Sequence, residues 1–334
     1  MKQLLKDNRF IVITGAAGFI AANVIRYLNS KGITELILVD DFGKSKKWKN
    51  LLGTQYREFV SKHELFDWLE GRQEAIQAFI HLGACSSTTE VDGDYFYRNN
   101  YRFSIQLLEY ALTHNHRFIY ASSAATYGLG EMGFSDSEES IECLMPLNIY
   151  GYSKQMFDLW CKRQGVLDEI VSLKYFNIFG PYESHKGSMA SMIFHMTNQI
   201  RERGFVSLFQ STDPHIDDGE QSRDFLYVKD AAKITCSFLY TKASGIFNVG
   251  SGSTTTWNKL AALIAHVLHK DLSIQHIPMP LSMRSQYQNK TQADVNKLSK
   301  HLERVGISLY TLESAISDYI NNYLIVQNYA DLTR

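Results

Sequence analysis

A tyrosine and a lysine that could share one face of a helix are the most informative chemical pair in this chain. The sequence reads Tyr150-Gly-Tyr-Ser-Lys154. Residues four apart on a helix lie on the same face, with Cβ atoms about 5–6 Å apart. A free tyrosine has a pKa near 10, and a neighbouring ammonium lowers such a pKa by roughly one to three pH units. We therefore predict that Tyr150 exchanges a proton with an alcohol or sugar hydroxyl beside Lys154.

A serine is expected to reach the same hydroxyl. Ser123 is the last residue of the run Tyr120-Ala-Ser-Ser, which ends the predicted strand Phe118–Ser122. The carboxyl ends of parallel strands form the crevice in which open α/β sheets bind ligands. We therefore predict that the Ser123 hydroxyl bonds the substrate oxygen with which Tyr150 exchanges its proton.

A glycine-rich turn lies upstream of these residues. In Thr14-Gly-Ala-Ala-Gly-Phe-Ile, the turn follows the predicted strand Phe10–Thr14 and opens the predicted helix 19–31. Gly15 permits the tight turn, and Gly18 lets the backbone approach a pyrophosphate that faces the helix N-terminus. With Asp40 at the end of the next strand, the pattern predicts a dinucleotide-binding site.

The identity of the dinucleotide is left open by the residues after the second strand. Asp40 can accept a hydrogen bond from a ribose 2′-OH, which favours NAD. Lys44, Lys46 and Lys47 follow closely and could neutralise a 2′-phosphate, which favours NADP. A solvated loop explains the lysines almost equally well.

The elements that position these residues alternate between short apolar strands and helix-length segments, as expected of a doubly wound parallel sheet, an α/β Rossmann fold. The second half is less regular and predicts a smaller, mixed α/β substrate domain. We place the dinucleotide-binding domain at residues 1–177, with returns near 224–250, and the substrate domain mainly at 178–334. The predicted strands are Phe10–Thr14, Leu36–Asp40, Tyr56–Phe59, Ala78–Leu82, Phe118–Ser122, Ile170–Asn177 and Gly245–Gly250, and the predicted helices span 19–31, 63–71, 95–114, 150–165, 188–203, 229–241, 257–268 and 311–324.

Composition narrows the function classes. The 334 residues carry 34 Lys and Arg against 35 Asp and Glu, a net charge of −1, so no basic surface argues for nucleic acid. No apolar run approaches the roughly 20 residues that span a bilayer, and the N-terminal segment lacks the features of a signal peptide. The four cysteines match neither a zinc site nor a disulfide framework. We expect a cytoplasmic protein without a bound metal.

Several stretches together resemble a known enzyme group. TGAAGFI, YASSAATYG and YGYSK are similar to the extended short-chain dehydrogenase/reductase superfamily of nucleotide-sugar enzymes. Three longer stretches, HLGACSSTTEVDGDYFYRNN, NIYGYSKQMFD and YFNIFGPYESHKGSMAS, resemble the branch that epimerises ADP-linked heptoses at C6″. The resemblance implies an ADP-heptose substrate, bound NADP, a role in lipopolysaccharide core synthesis and a homo-oligomer, typically a pentamer.

The resemblance also assigns roles to residues. It implies that Tyr150 and Lys186 are the two catalytic acid/base groups, that Ser123 assists, and that Lys154 orients the nicotinamide ribose. The residues at cofactor positions are Gly15, Gly18, Phe19, Ile20, Asp40, Asp41, Lys47, Lys62, Leu82, Gly83, Ala84, Cys85, Ser86, Asn99 and Lys154. Those at substrate positions are Asn177, His185, Phe209, Arg223 and Tyr287.

A second base fits the chemistry of epimerisation. Inverting a carbinol centre requires loss of hydride to a nicotinamide and its return to the opposite face of a ketone. The hydroxyl then occupies a different position in each half-reaction, while proton transfer requires hydrogen-bond reach of about 2.6–3.2 Å. Lys186, with a pKa lowered by burial beside Lys154, would serve the position that Tyr150 does not reach.

The sequence departs from the branch in places and leaves alternatives open. Ala21 and Asp41 stand where glycine and asparagine are frequent, and 210–222 is longer and more acidic than usual near the expected substrate phosphates. Another nucleotide-sugar epimerase or a dehydratase on the same fold is one alternative, although no carboxylate follows Ser123 in Ala124-Ala125-Thr126. A non-catalytic dinucleotide-binding scaffold is the other.

Overall fold

The structure is a computed structural model that describes residues 9–87, 90–284 and 287–326. The ends of the two predicted domains, 1–8 and 327–334, lie outside the described residues. Most of the N-terminal segment, which we predict not to be a signal peptide, therefore lies outside them too. In chain order the strands are β1 (Phe10–Thr14), β2 (Leu36–Asp40), β3 (Glu58–Ser61), β4 (Ile76–His81), β5 (Arg117–Ser123), β6 (Val171–Tyr175), β7 (Asn177–Phe179), β8 (Val206–Phe209), β9 (Ser222–Arg223), β10 (Phe225–Tyr227), β11 (Gly245–Val249), β12 (Thr255–Thr256) and β13 (Ile274–Ile277).

The α-helices follow the strands in regular alternation through the first half. They are α1 (Phe19–Ser30), α2 (Leu65–Leu69), α3 (Gly93–Phe96), α4 (Phe103–Thr113), α5 (Ile149–Gln164), α6 (Met192–Arg203), α7 (Val228–Ser237), α8 (Trp257–Leu268), α9 (Leu281–Arg284), α10 (Asn296–Val305) and α11 (Leu312–Tyr319). A π-helical segment, Tyr97–Arg102, joins α3 to α4, and another, Ile320–Leu324, continues α11.

A seven-stranded parallel sheet forms the centre of the first half, in the order β11-β6-β5-β4-β1-β2-β3. The strand order reverses between β1 and β4, which pair in parallel from Phe10 opposite Ile76 to Thr14 opposite His81. Ligands of open α/β sheets bind outside the carboxyl ends of the strands at such a reversal. This topology brings the glycine-rich turn and the Ser123 strand to one edge.

Both faces of the sheet are buried, which explains the continuous apolar strands. Along β1, Ile11 and Ile13 contribute to one core, while Val12 contributes to the other. Alternate residues of a strand point to opposite faces. Helices α1, α7 and α10 cover the first face, and α2, α4 and α5 cover the second. The predicted doubly wound parallel sheet is therefore confirmed.

A third core joins elements of the second half. Helices α6, α8 and α11 pack with β8 and β10, and their buried side chains include Ile193, Leu260, Ile264, Ile316 and Tyr319. Three two-strand pairs accompany them: β7 with β10, β8 with β13, both parallel, and β9 with β12, antiparallel. The residue boundary between the two predicted domains stays a prediction.

Two sequence predictions differ from the observed elements. The predicted strand Ile170–Asn177 is divided at Phe176 into β6 and β7, because β6 pairs with β11 in the main sheet and β7 pairs with β10. The predicted helix 188–203 begins only at Met192, after a 3-10 segment, with the Ser191 side chain accepting a hydrogen bond from the Phe194 N–H. The break between β6 and β7 turns the chain away from the sheet just before Lys186.

Candidate active site

A cavity of about 930 Å³ opens at the carboxyl ends of β1, β2, β4, β5 and β6. Tyr150, Lys186 and Ser123 all line it, and so does every residue that the sequence assigned to the cofactor. Of the predicted substrate residues, Asn177 and His185 line the cavity. Within the described part of the chain, Phe209, Arg223 and Tyr287 lie outside this lining. The structure thus brings most of the predicted site together in one enclosure.

The glycine-rich turn is set by a close approach of two backbones. Gly15 has φ +66°, and a Cβ at this position would lie 2.6 Å from the Gly83 Cα. The Gly18 N–H donates to the Gly15 carbonyl over 2.8 Å, and Gly18 is the N-cap of α1. Only glycine fits Gly15 without displacing the β4 loop. The turn leaves the N-terminus of α1 free of a side-chain cap, as an anion site requires.

The carboxylate of Asp40 is engaged by the protein itself. Its Oδ2 accepts the Ala17 N–H at 2.9 Å, and its Oδ1 lies 2.7 Å from both the Asp41 N–H nitrogen and the Lys47 Nζ. Asp40 is buried, so the ion pair with Lys47 offsets part of its desolvation. Asp40 braces the glycine-rich turn, and Lys47 neutralises its charge.

Asp41 is likewise paired. Its carboxylate lies 3.2 Å from the Lys62 Nζ and 3.0 Å from the His63 Nε2. Burial acts to raise the pKa of Asp41, but the hydrogen bond and charge of Lys62 outweigh it, so the pKa lies below its ordinary value. Lys62 also donates to the Asn99 Oδ1. This group forms one wall of the cavity beyond β2 and β3.

The loop after β4 is held by a buried asparagine in the π-helical segment. Asn100 accepts the Cys85 N–H at 2.8 Å through Oδ1 and donates to the Cys85 carbonyl at 2.9 Å through Nδ2. Its Nδ2 also reaches the Ser153 Oγ at 3.0 Å. Because Ser153 lies between Tyr150 and Lys154 on α5, Asn100 links the β4 loop to the helix that carries the proton-transfer pair.

A buried histidine at the end of β4 completes this brace. The Ser104 hydroxyl donates to the Asn100 carbonyl, so it must accept from His81 Nε2–H, at 2.8 Å. The Thr14 hydroxyl then donates to His81 Nδ1, and Thr14 Oγ1 accepts the Gly83 N–H. Burial, with a smaller effect of the Lys154 charge, lowers the pKa of His81 to about 3, so the ring is neutral. These bonds tie β1, β4 and α4 together.

Tyr150 and Ser123 lie on adjacent elements of the cavity wall. Asn148 caps α5 by accepting the Gly151 N–H, which fixes the helix start at Ile149 and places Tyr150 in the first turn, at the cavity wall. Burial raises the pKa of Tyr150, and a hydrogen bond with the Ser123 side chain acts against it. This direction is opposite to the sequence expectation. The phenol is therefore protonated at neutral pH in the protein alone.

Burial outweighs the Ser123 hydrogen bond at Tyr150, and Lys154 bonds elsewhere. Its Nζ donates to the Ala121 carbonyl at 2.6 Å and lies 4.5 Å from the centre of the Tyr120 ring. Burial, opposed by the charge of Asp158, lowers the pKa of Lys154 to about 7. Since the side chain is only 2% exposed, this amine is easily deprotonated. Lys154 thus reaches from α5 to β5 and lines the cavity beside Ala121.

A buried ionic group lies beneath Lys154. Asp158 is fully buried and accepts hydrogen bonds from Ser122 at 2.7 Å and Ser172 at 2.8 Å. The Lys174 Nζ lies 3.5 Å from its carboxylate and donates to the Thr126 hydroxyl. These contacts cross from α5 to β5 and β6, and they hold the strand that ends in Ser123.

Lys186 enters the cavity on the loop of residues 180–191. Its Nζ lies 5.4 Å from the centre of the Phe19 ring. Burial lowers the pKa of Lys186, and the charge of Glu183 acts against that effect. Phe19 is the first residue of α1 and directly follows the glycine-rich turn. The amine therefore lies on the side of the cavity that the turn forms. A lysine amine with a lowered pKa is suited to proton transfer near neutral pH.

His185 is held against the nucleotide side of the site. Its Nδ1 lies 3.1 Å from the Asn50 Nδ2 and 3.0 Å from the Tyr182 carbonyl. Asn50 also donates to the Ala17 carbonyl in the glycine-rich turn. Burial lowers the pKa of His185 to about 4, so its ring is neutral. His185 therefore braces the loop against that turn, and its assignment to the substrate stays a prediction.

Arg223 lies between two aromatic rings next to the cavity. Its guanidinium carbon is 5.3 Å from the Trp257 ring centre and 5.1 Å from that of Tyr287. The Trp257 Nε1–H donates to the Tyr287 hydroxyl, and Trp257 itself lines the cavity. Among the described residues no carboxylate lies within ion-pair distance of Arg223. A buried guanidinium without an acid partner is suited to an anionic ligand.

The remaining predicted substrate residues differ in their placement. Asn177 donates to the Asp224 carbonyl at 3.0 Å and to the Thr291 hydroxyl at 3.1 Å, at the start of β7. Phe209 ends β8 and is half-buried, opposite Ile277 of β13. The sequence missed Trp257, which it treated only as the start of a helix, and Glu183, whose role depends on contacts with distant residues.

The fold and the cavity together define a Rossmann-type enzyme that binds a nicotinamide dinucleotide beside a tyrosine–lysine–serine site. Residues 11–250 match the model of the NAD dependent epimerase/dehydratase family, and the chain belongs to that family. It is therefore an enzyme of the epimerase class with a nicotinamide dinucleotide as cofactor, and the superfamily resemblance seen in the sequence is confirmed.

Curated relatives and a solved structure give the comparison more detail. The chain is 42% identical over 316 residues to ADP-L-glycero-D-manno-heptose-6-epimerase of Nitratidesulfovibrio vulgaris strain DP4, covering 94% of this chain and 97% of the relative. It is 40% identical over 328 residues to the protein of the same name from Fusobacterium nucleatum, covering 94% and 98%. The crystal structure of the Helicobacter pylori protein of that name superposes with a TM-score of 0.78 at 26% identity, over 97% of this chain and 100% of that one.

Among the described helices, none has both the length and the apolar character required to cross a bilayer.

Proposed function

We propose that this enzyme inverts C6″ of ADP-D-glycero-D-manno-heptose to give the L-glycero epimer. The observation that carries the proposal is that Tyr150 and Lys186 line one cavity from different elements, α5 and the 180–191 loop. The names of the relatives described above support the substrate. The product would enter lipopolysaccharide core heptose synthesis.

The proton-transfer groups are suited to two positions of one hydroxyl. A bound nicotinamide dinucleotide would accept hydride from C6″ and return it to the opposite face of the resulting ketone. In one half-reaction Tyr150, assisted by Ser123, exchanges the proton of the hydroxyl oxygen. After the C6″ end turns, the oxygen faces Lys186, whose pKa is lowered by burial. Two groups are needed because each must lie within about 2.6–3.2 Å of the oxygen that it serves.

The nucleotide end of the substrate is assigned to Arg223. The guanidinium fork pairs with phosphate oxygens through two parallel hydrogen bonds, and Arg223 is 7% exposed, so such pairs would be well shielded from water. Trp257 and Tyr287 hold it in place from both sides. Asn177 and His185, which line the cavity, and Phe209 complete the proposed substrate set.

For the cofactor we propose NADP, although NAD fits the same turn. Asp40 accepts bonds from Ala17, Asp41 and Lys47, so its oxygens are already used within the protein. Lys44 and Lys47 line the same end of the cavity; Lys47 offsets the charge of Asp40, and Lys44 would supply positive charge for a 2′-phosphate. Mass spectrometry of the dinucleotide released by denaturation tests this choice, and release of NAD alone would contradict it.

We further propose that the enzyme works in the cytoplasm as a homo-oligomer, as expected from the sequence. Exposed aromatic side chains support an association surface: Tyr97 is 47% exposed in the π-helical segment and Tyr152 is 50% exposed on α5. Light scattering at low micromolar protein would give the assembly size, and a monomer would contradict the proposal.

The activity is tested by incubating the purified holoenzyme with ADP-D-glycero-D-manno-heptose and following the epimers by NMR. We expect conversion by the wild type, and losses of about 10²–10⁴-fold in kcat for Tyr150→Phe and for Lys186→Met. Both variants should retain their dinucleotide. A Lys186→Met enzyme with near-normal turnover would mean that Tyr150 serves both positions of the hydroxyl.

A further inference from the structure

A buried carboxylate lies in the middle of the 180–191 loop. Glu183 is 0% exposed. Its Oε1 accepts the Gly180 N–H at 3.2 Å and the Ser191 hydroxyl at 2.7 Å, and its Oε2 accepts the Ser191 N–H at 2.6 Å. Gly180 and Ser191 are the two ends of the loop. One side chain therefore closes the loop that carries Lys186.

The contacts of Glu183 are those of an ionised carboxylate. Each oxygen receives a backbone N–H, which can only donate. The Ser191 hydroxyl accepts the Phe194 N–H and so has its own proton free for Glu183. Burial raises the pKa of Glu183 above its ordinary value, and these donors act against that shift. Protonation of either oxygen would compete with the backbone N–H that this oxygen accepts, so we assign the charged form.

The carboxylate also connects the loop to a distant part of the chain. The Tyr319 hydroxyl on α11 donates to Oε1 at 3.0 Å, and Tyr319 is 1% exposed within the third core. On its other side the loop is fixed to the first domain, since Asn23 donates to the Pro181 carbonyl and Arg26 stacks on the Tyr182 ring. Glu183 is thus the point at which the loop, α11 and the first turn of α6 meet.

Among the described residues, few charged groups act on the Lys186 amine. Glu183 is the carboxylate in its own loop, and its charge favours the protonated amine. The adjacent His185 is neutral and faces Asn50, with Asp40 and Lys47 beyond it. From α1 the amine meets the Phe19 ring, and from α11 the Tyr319 hydroxyl is already bonded to Glu183. Glu183 is therefore the negative charge best placed to set the proton affinity of Lys186.

We propose that Glu183 is the positioning residue of Lys186: its buried carboxylate closes the 180–191 loop, presents the amine to the cavity, and supplies the charge that keeps the amine protonatable. The acid/base role of Lys186 rests on the proposed function, whereas the contacts of Glu183 do not. Glu183 does not touch the substrate; it acts through Lys186.

The test measures the Lys186 amine directly in the holoenzyme. Competitive acetylation over a range of pH, read by mass spectrometry of the peptide that contains Lys186, gives the midpoint of its titration without turnover. In Glu183→Gln, which keeps the shape and removes the charge, we expect this midpoint to fall by about one to three pH units. The pH at which kcat reaches half its maximum on the Lys186 limb should fall with it. We expect kcat to fall about tenfold or more while KM changes little.

Two further variants keep the test decisive. Asp230→Asn removes another fully buried carboxylate, one that bonds Lys233 and the Tyr310 N–H, and it should leave the Lys186 midpoint unchanged. Tyr319→Phe retains the Glu183 charge and removes one donor. It should speed amide hydrogen exchange in 180–191 and lower kcat by a smaller factor than Glu183→Gln. This variant tests the proposal even if Glu183→Gln does not fold.

The outcomes separate this proposal from the proposed function. An unchanged Lys186 midpoint in Glu183→Gln, together with unchanged exchange in Tyr319→Phe, overturns the role of Glu183 even if the wild type epimerises the heptose. A lowered midpoint in an enzyme that does not act on the heptose supports the role of Glu183 and overturns the substrate assignment.

Discussion

Replacing Gly15 by alanine should release the cofactor for a reason that can be separated from backbone strain. Gly15 and Gly32 both have positive φ, +66° and +76°, but an added Cβ at Gly32 would meet no atom within 4 Å. At Gly15 it would lie 2.6 Å from the Gly83 Cα and 2.7 Å from the Gly83 nitrogen. Gly32→Ala is therefore a matched control that carries the strain without the contact.

The expected losses in the free energy of unfolding follow from the positive φ and from the close contact with Gly83. Positive φ costs a residue with a Cβ about 1–2 kcal/mol, which is the expected loss in the free energy of unfolding for Gly32→Ala. Carbon atoms prefer separations of about 3.5–4.0 Å, so in Gly15→Ala the two loops must part by about 1 Å. Overpacking of this kind costs about 1–3 kcal/mol more. We expect a total loss of about 2–5 kcal/mol for Gly15→Ala.

The assay combines thermal denaturation with the amount of dinucleotide released per protein chain. Gly32→Ala should retain the wild-type dinucleotide content, because its turn lies at the end of α1, away from the cavity lining. Gly15→Ala should lose most of it and show about twice the fall in Tm. Equal losses of Tm in both variants, with full dinucleotide content in Gly15→Ala, would refute the close approach to Gly83 as the cause.

Three other predictions follow from the buried groups. His81 has a folded-state pKa of about 3 against about 6.5 when unfolded, so its stabilising effect is complete above about pH 6.5 and is lost as the pH falls towards 3. The free energy of unfolding, measured by chemical denaturation, should therefore be about 2 kcal/mol lower at pH 5 than at pH 7, and equal stabilities would contradict a neutral buried ring. Asp158→Asn leaves Lys174 buried without its partner and should cost about 3–5 kcal/mol of unfolding free energy in urea titrations; a cost below about 1 kcal/mol would mean that the pair is dispensable. Arg223→Met should raise KM for the nucleotide sugar about 10–100-fold with little change in kcat, whereas an unchanged KM would exclude a phosphate contact.

Local sequence predicted which residues of the proposed dinucleotide half come together, because that half follows one short rule. A strand, a glycine-rich turn and a helix fix Gly15 and Gly18 beside a phosphate site, and parallel pairing brings the ends of β1, β4 and β5 to one edge. Tyr150 and Ser123 then meet because α5 packs on the sheet beside β5. Each of these steps is encoded within a few residues of the side chain concerned.

The rest of the site could not be predicted in the same way because it depends on contacts between distant segments. The strand predicted at Ile170–Asn177 is divided since β7 finds its partner β10 about 50 residues later. The pKa of Tyr150 is raised because burial dominates and Lys154 donates to Ala121, neither of which is visible in the spacing Tyr-x-x-x-Lys. Glu183 gains its role only when Tyr319 reaches it from α11.

The most direct test is the reaction of the holoenzyme with ADP-D-glycero-D-manno-heptose in D₂O, followed by NMR at C6″. Hydride that is removed from C6″ and returned to it by the nicotinamide does not exchange with solvent, so we expect the L-glycero epimer with protium at C6″ and no net change in the dinucleotide. Deuterium at C6″ would contradict inversion by hydride transfer. Absence of conversion with the dinucleotide bound would contradict the substrate.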